Sequence, residues 1–183
     1  MKKTLILLSF LLLAALPALA QNNEVDLLFG GAKALKTAAG GKSDFQHGFE
    51  EISYGIQMDQ GTWFRVKLGR MDAKTVFVSK DSDGKQIVDA VDSKGQVEYA
   101  DVAIEYRFSE PFGSTGLFAG TGLYRQDGAN RQESDYGFVG GVNGNFPITR
   151  NLGITAEAAY HWVHFYSPKP RYGSLGVGLR FSF

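Results

Sequence analysis

The sequence predicts an all-β fold: one eight-stranded antiparallel up-and-down barrel that crosses a membrane. Three observations predict it. Apolar and polar residues alternate with a period of two along most of the chain, and no helical period competes with it. The charged residues of those segments fall on the parity opposite to the apolar one. The final stretch, "YGSLGVGLRFSF", keeps Leu175, Val177, Leu179, Phe181 and Phe183 on one face up to the last residue, where a chain is ordinarily polar and frayed.

The amino-terminal segment "MKKTLILLSFLLLAALPALA" is read first. Lys2 and Lys3, an apolar run over 5–13 and the small-x-small ending Ala18-Leu19-Ala20 form a secretory signal peptide. The apolar run is short for a membrane anchor, and Pro17 follows it. Residues 1–20 are therefore expected to be cleaved, leaving 21–183 as a single domain. The chain has 0 Cys, which removes disulfides and a lipid-carrying cysteine. Lys+Arg and Asp+Glu are both 19, so nothing resembles a nucleic-acid footprint. Glycine is frequent at 23, and no later stretch is apolar for long enough to form a spanning helix.

Strands are expected at 24–32, 49–59, 62–72, 96–109, 115–125, 134–146, 151–165 and 172–183. The first carries Asp26 on its polar face. The second sets Ile52, Tyr54, Ile56 and Met58 against Glu51, Ser53 and Gln57. The third sets Phe64, Val66 and Leu68 against Arg65 and Lys67. In the fourth, Ala100, Val102, Ile104, Tyr106 and Phe108 oppose Asp101, Ala103, Glu105 and Arg107. The fifth and sixth, "GLFAGTGLYR" and "YGFVGGVNGNFPIT", are rich in glycine. The seventh sets Leu152, Ile154, Ala156, Ala158, Tyr160 and Trp162 against Thr155, Glu157 and His161. The eighth places Arg180 with Ser174, Gly176, Gly178 and Ser182. The shared parity of Arg65 with Lys67, and of Asp101 with Glu105 and Arg107, does not depend on how the strand phase is chosen.

The connections choose between a half-buried sheet and a membrane barrel. Long or medium segments follow the first, third and fifth strands, and short ones ("DQG", "SEPFG", "PITRN") follow the second, fourth and sixth. An up-and-down barrel puts the two sets at opposite ends, as outer-membrane barrels do with their periplasmic turns and outer loops. The chain resembles the small eight-stranded outer-membrane barrels, the group of the outer-membrane protein A transmembrane domain. The most specific piece is "LGVGLRFSF"; the two Gly-rich strands also look like the mid-barrel hairpin of that group. The resemblance implies that Tyr172, Val177, Leu179, Phe181 and Phe183 are read by the barrel-assembly machinery. It also implies an outer-membrane location reached through the periplasm, contact with outer-membrane lipid and lipopolysaccharide, and a monomeric state.

The interior of so small a barrel is just filled by side chains. Asp26, Glu51, Arg65, Lys67, Asp101, Glu105, Arg107, Glu157 and Arg180 then form an inward network of five acids and four bases. Pairing would make it a structural polar core; a proton or ion path is the functional alternative. "YHWVHFYS" offers His161, His164 and Ser167 with Glu157, the residue types of a lipid A deacylase. Ser167 stands three residues after His164, on the opposite face, and His161 and His164 differ in parity, so both histidines are expected in an interfacial aromatic belt. No His, Ser and carboxylate share a strand face at a spacing suited to acyl transfer. Asp81 and Asp83 in "KDSDGKQ" lack the later ligands of a calcium loop. A hairpin turn at Asp83-Gly84, prolonging the third and fourth strands through "TVFVS" and "QIVDAV", is expected instead. The glycines of "GGVNGN" lack the strand-then-helix setting of a nucleotide site. Lys33, Lys36, Lys42, Lys74, Lys80 and Lys85 in the outer loops could meet lipopolysaccharide phosphates.

No catalytic, cofactor or metal residues are therefore assigned, and a non-enzymatic structural or surface-binding role is expected. A lipid-modifying enzyme or narrow channel is the alternative in the same membrane. A secreted ligand-binding barrel is the alternative outside it, although such a barrel would leave the terminal Phe and the outward aromatics unexplained.

Overall fold

The computed structural model describes residues 22–36, 47–73, 75–83, 86–92, 95–127, 132–164 and 170–183. The expected signal peptide, Ser167, Gly84, Lys42, Lys74 and Lys85 lie outside them, as do the side chains of Lys36 and Lys80. The strands are β1 (Asn23–Lys36), β2 (His47–Asp59), β3 (Thr62–Asp72), β4 (Thr75–Lys80), β5 (Gln86–Asp92), β6 (Gln96–Glu110), β7 (Gly113–Asp127), β8 (Gln132–Pro147), β9 (Leu152–Val163) and β10 (Arg171–Ser182). Eight close into a barrel in the order β1-β10-β9-β8-β7-β6-β3-β2, every pair antiparallel. A closed barrel has no free edge, which is what a bilayer core demands of a sheet.

The expected pairing of "TVFVS" with "QIVDAV" is present, but β4 and β5 form a separate two-stranded sheet and do not prolong β3 and β6. The break falls at Ala73 and Gly95, joined by a 2.9 Å backbone hydrogen bond. The Thr75 hydroxyl fills the space where a Gly95 side chain would begin. Asp81 accepts the Asp83 amide at 3.0 Å, so it serves the turn.

The short turns have identifiable chemistry. Gly61 carries the positive φ of 85° that the β2–β3 turn requires, and the Asp59 carboxylate accepts the Gln60 amide at 2.6 Å. Between β8 and β9 the Thr149 hydroxyl accepts the amides of Asn151 (3.3 Å) and Leu152 (3.1 Å).

The stagger of the strands places everything in the lumen. A row of cross-strand partners that starts at Glu24 passes Gly55, Arg65, Ala103, Gly120, Val139, His161 and Tyr172. It returns to β1 at Ala34, ten residues above its start. That stagger tilts the strands by about 40° to the barrel axis. Groups near in sequence therefore stand at different depths, and groups on opposite walls meet at one level.

The outer surface carries the apolar parity: Phe29, Ile52, Leu68, Val102, Ile104, Leu117, Leu123, Phe138, Val177 and Leu179 are all exposed. With the tilt included, this band extends for about 25 Å, from the level of Met58, Phe108 and Phe181 to an outer ring of Glu50, Arg70, Glu98, Arg125 and Arg171. So much exposed apolar surface around a closed barrel suits a bilayer and no aqueous setting.

Candidate functional site: the barrel lumen

The inward parity builds the lumen in three levels. At the short-turn end, Arg65 of β3 lies at the centre. It donates to Asp26 (2.7 Å) and to the Ser53 hydroxyl (2.9 Å), and it also pairs with Glu24 and Glu105. Arg180 of β10 grips Asp26 through two bonds of 2.7 and 2.8 Å. Arg107 of β6 donates to Glu24 at 2.6 and 3.0 Å and to Glu105 at 2.9 Å, with its guanidinium 4.2 Å over the Trp63 ring. Three carboxylates and three guanidiniums thus interlock from four strands, in the forked geometry that arginine suits.

Halfway up, Lys67 reaches across the barrel. It pairs with Glu157 of β9 and, at 3.1 Å, with Glu51 of β2, and lies 4.1 Å over the Phe118 ring. Above it the donors are hydroxyls. Tyr99 donates to Glu51 at 2.6 Å and Tyr124 to Asp101 at 2.9 Å. His161 lies with one ring nitrogen 3.0 Å from the Tyr124 hydroxyl and the other 3.2 Å from Ser174. Tyr99 and Tyr124 stack at 5.7 Å, and His161 packs against both.

The outermost level is apolar. Leu28, Ala32, Phe49, Met71, Val97, Val163 and Tyr172 are buried in one cluster with the two tyrosines. Inward glycines give these side chains room: a side chain at Gly69 would meet Tyr99 at 2.4 Å, and one at Gly176 would meet Phe49 at 2.7 Å.

All nine charges assigned from sequence point inward; eight are buried, and Arg107 is nearly so. They form two groups, with Asp26, Arg65, Glu105, Arg107 and Arg180 in the inner and Glu51, Lys67 and Glu157 in the middle. Asp101 has the Tyr124 hydroxyl as its partner. Sequence reasoning missed Glu24, which shares the parity of Asp26 but stands at the start of its strand. It also missed Tyr99, Tyr124, Ser174 and the apolar outer level, because periodicity states which face a residue takes and not which wall it reaches.

Two expectations are corrected. His161 is not in the interfacial belt: it is buried in the lumen, since its parity is that of Glu157. The belt includes Tyr136, Phe138, Trp162 and His164, with the Tyr136 and His164 rings stacked at 4.5 Å. A serine and a histidine do meet on one face, but as Ser174 and His161 of adjacent strands, which spacing along one strand does not reveal. The pair is sealed from solvent, and its carboxylate, Asp101, is bonded to Tyr124 and not to the imidazole. Among the described residues no cluster of His, Asp and Glu is arranged to hold a metal. Of the proposed assembly positions, Val177, Leu179, Phe181 and Phe183 face outward, whereas Tyr172 is buried inside. Phe183 and Asn23 exchange two backbone hydrogen bonds of 2.9 Å, closing β10 against β1 to the last pair.

A closed eight-stranded antiparallel barrel with an apolar outside and an ionic inside is the architecture of the small outer-membrane barrels. No family model matches the chain, and no curated protein sequence matches it. Solved structures do. The chain is similar to Neisserial surface protein A, with a TM-score of 0.62 and 17% identity over 88% of this chain and 96% of that one. It is also similar to Ail, the attachment invasion locus protein of Yersinia pestis, with a TM-score of 0.53 and 16% identity over 90% of this chain and all 100% of the other. A second Ail structure, in complex with the heparin analogue sucrose octasulfate, gives a TM-score of 0.56 at 15% identity, over 90% and 100% of the two chains. At such identities the likeness is one of fold.

Proposed function

We propose that this protein is a non-enzymatic barrel of the outer membrane. Its wall contributes to the integrity of the envelope, and its outer loops make contacts at the surface. The observation that carries this reading is the filled lumen. Among the described residues interlocked ion pairs occupy the inner half of the lumen and a packed apolar cluster its outer end, which supports a barrel without a wide pore. That Ail, which is similar in fold, is found in complex with the heparin analogue sucrose octasulfate supports an anionic sugar as the kind of partner proposed for the outer loops. Outward Val177, Leu179, Phe181 and Phe183 fit recognition by the barrel-assembly machinery, and the chain is taken to act as a monomer.

Planar-bilayer recording and a lipid A acyl-chain assay on the purified protein test the reading together. Negligible conductance and no acyl-chain release are expected. A steady large conductance, or a release abolished by His161→Ala, would overturn it.

A further inference from the structure

The outer rim of the barrel is not the same all the way round. Over β2, β3, β6 and β7 its outward charges are cross-strand neighbours of alternating sign: Glu50 opposite Arg70, Arg70 opposite Glu98, Glu98 opposite Arg125. They neutralise one another, with Arg70–Glu50 at 3.0 Å, Arg125–Glu98 at 2.5 Å and Arg125–Asp127 at 3.4 Å. Over β10 and β1 the rim is cationic. Arg171 is exposed and Lys33 half-exposed; Lys33 stands opposite Gly173, two residues from Arg171. Neither is paired with a carboxylate among the described residues. Trp162 stands directly opposite Arg171, and Tyr160 directly opposite Gly173; both rings are partly exposed on the outer face.

Below these cations the same wall is grooved. Gly144, Ala156 and Ala158 form a floor of small residues between Val142 on one side and Leu175 and Val177 on the other, in a depression of about 560 Å³. Leu175 lies four residues below Arg171 on the same face. One sector of the wall therefore offers, from rim to midplane, two cations without a carboxylate partner among the described residues, aromatic rings at interfacial depth and an apolar groove. The paired sector also has a depression, but its rim charges are already spent on one another.

We propose that the sector formed by β8, β9, β10 and β1 binds one molecule of a phosphorylated glycolipid of the outer leaflet. Its phosphate meets Arg171 and Lys33, its sugar lies against Trp162 and Tyr160, and an acyl chain lies in the groove over Ala156 and Ala158. Charge complementarity selects an anionic headgroup, and aromatic side chains with one apolar and one polar end suit the interfacial depth. The inference rests on the outer-membrane reading, which puts the long-loop end outermost.

The test is native mass spectrometry of the full-length barrel in mild detergent with bisphosphorylated lipid A, dephosphorylated lipid A or phosphatidylglycerol. Bisphosphorylated lipid A is expected to be retained preferentially as a single bound molecule. Lys33→Gln with Arg171→Gln should weaken that retention roughly tenfold or more, as two cations beside an anionic headgroup imply. Ala158→Leu, which fills the groove without touching charge, should weaken it as well. Arg70→Gln with Arg125→Gln, in the neutralised sector, should leave it unchanged. Equal retention of the dephosphorylated lipid or of phosphatidylglycerol, or an equal loss in the two double variants, would overturn the proposal. Each variant is also run unheated and heated on a gel. Absence of the heat-dependent mobility change would refute the barrel reading itself, whereas a normal change with unaltered lipid retention would refute only the site.

Discussion

Replacing Lys67 by methionine should be among the most damaging conservative-volume changes in this barrel. Among the described residues its ammonium is the one cation within ion-pair distance of both Glu51 and Glu157, and it is fully buried. At the 3.1 Å separation from Glu51, a charge pair in an effective dielectric near 20 is worth about 5 kcal/mol of Coulomb attraction. Much of that is offset by the cost of burying the charges. Removal does not return the offset, because the two carboxylates stay behind in the lumen without their cation. The expected net loss is about 3–5 kcal/mol, the range for breaking a buried pair from one side. Urea unfolding in lipid vesicles, followed by the fluorescence of Trp63 and Trp162, reads it. The control is the triple variant Lys67→Met, Glu51→Gln, Glu157→Gln, which removes the unpaired charges and should recover most of the loss. A single variant within about 1 kcal/mol of the parent would refute the reasoning, since that is the scale of an exposed pair. So would a triple variant no better than the single one.

Three further outcomes are expected. Val102→Arg and Ile104→Arg, on the lipid face, should each cost about 2–4 kcal/mol; Asp101→Asn, which keeps an acceptor for Tyr124, should cost less, and the reverse order in urea titration would mean the strand phase is wrong. Phe183→Ser should lower the amount of heat-modifiable barrel in cell envelopes while leaving the unfolding midpoint of refolded protein nearly unchanged; deleting Phe183 should lower both, because it also removes the two hydrogen bonds to Asn23. Tyr124→Phe takes the donor from Asp101 and should destabilise by about 1–3 kcal/mol, whereas Tyr172→Phe, which removes a buried hydroxyl that has no partner among the described residues, should be neutral or stabilising; equal losses in a denaturant titration would refute the contrast.

What could be read from the sequence was whatever has a period of two. Arg65 and Lys67 had to share a face, and so did Asp101, Glu105 and Arg107, whatever the strands did next. Closure followed from the outward apolar parity persisting to Phe183. The partners were out of reach. Lys67 meets Glu157 across 90 positions, and only the ten-residue stagger puts the two at one depth. His161 was placed in the interfacial belt because its neighbours Tyr160 and Trp162 do belong there; the parity it shares with Glu157 contained the right answer. Phe49, Met71 and Val97 were legible as inward in parity, but a lumen expected to be polar left no role for them. The stagger again explains them, since all three lie at the outer end, beyond the ionic levels.

The distribution of donors along the lumen gives a reason for that order. In the inner group three guanidiniums face three carboxylates and each arginine is shared between partners, so charge is balanced there, and among the described residues only Nη1 of Arg180 in this group is left without a hydrogen bond. In the middle group Lys67 alone faces Glu51, Glu157 and, nearby, Asp101. On β7 and β8 the inward positions Gly120, Gly122 and Gly141 leave no room for a second cation, because the space is taken by neighbouring strands and by Phe118. Tyrosine solves the problem from β6 and β7. Its hydroxyl reaches the carboxylate as a donor while its ring fills the lumen and begins the apolar level above. Tyr99 and Tyr124 are each bonded at one end to a carboxylate and packed at the other among Phe49, Met71 and Val163. The change from ionic to apolar filling thus takes place within single side chains.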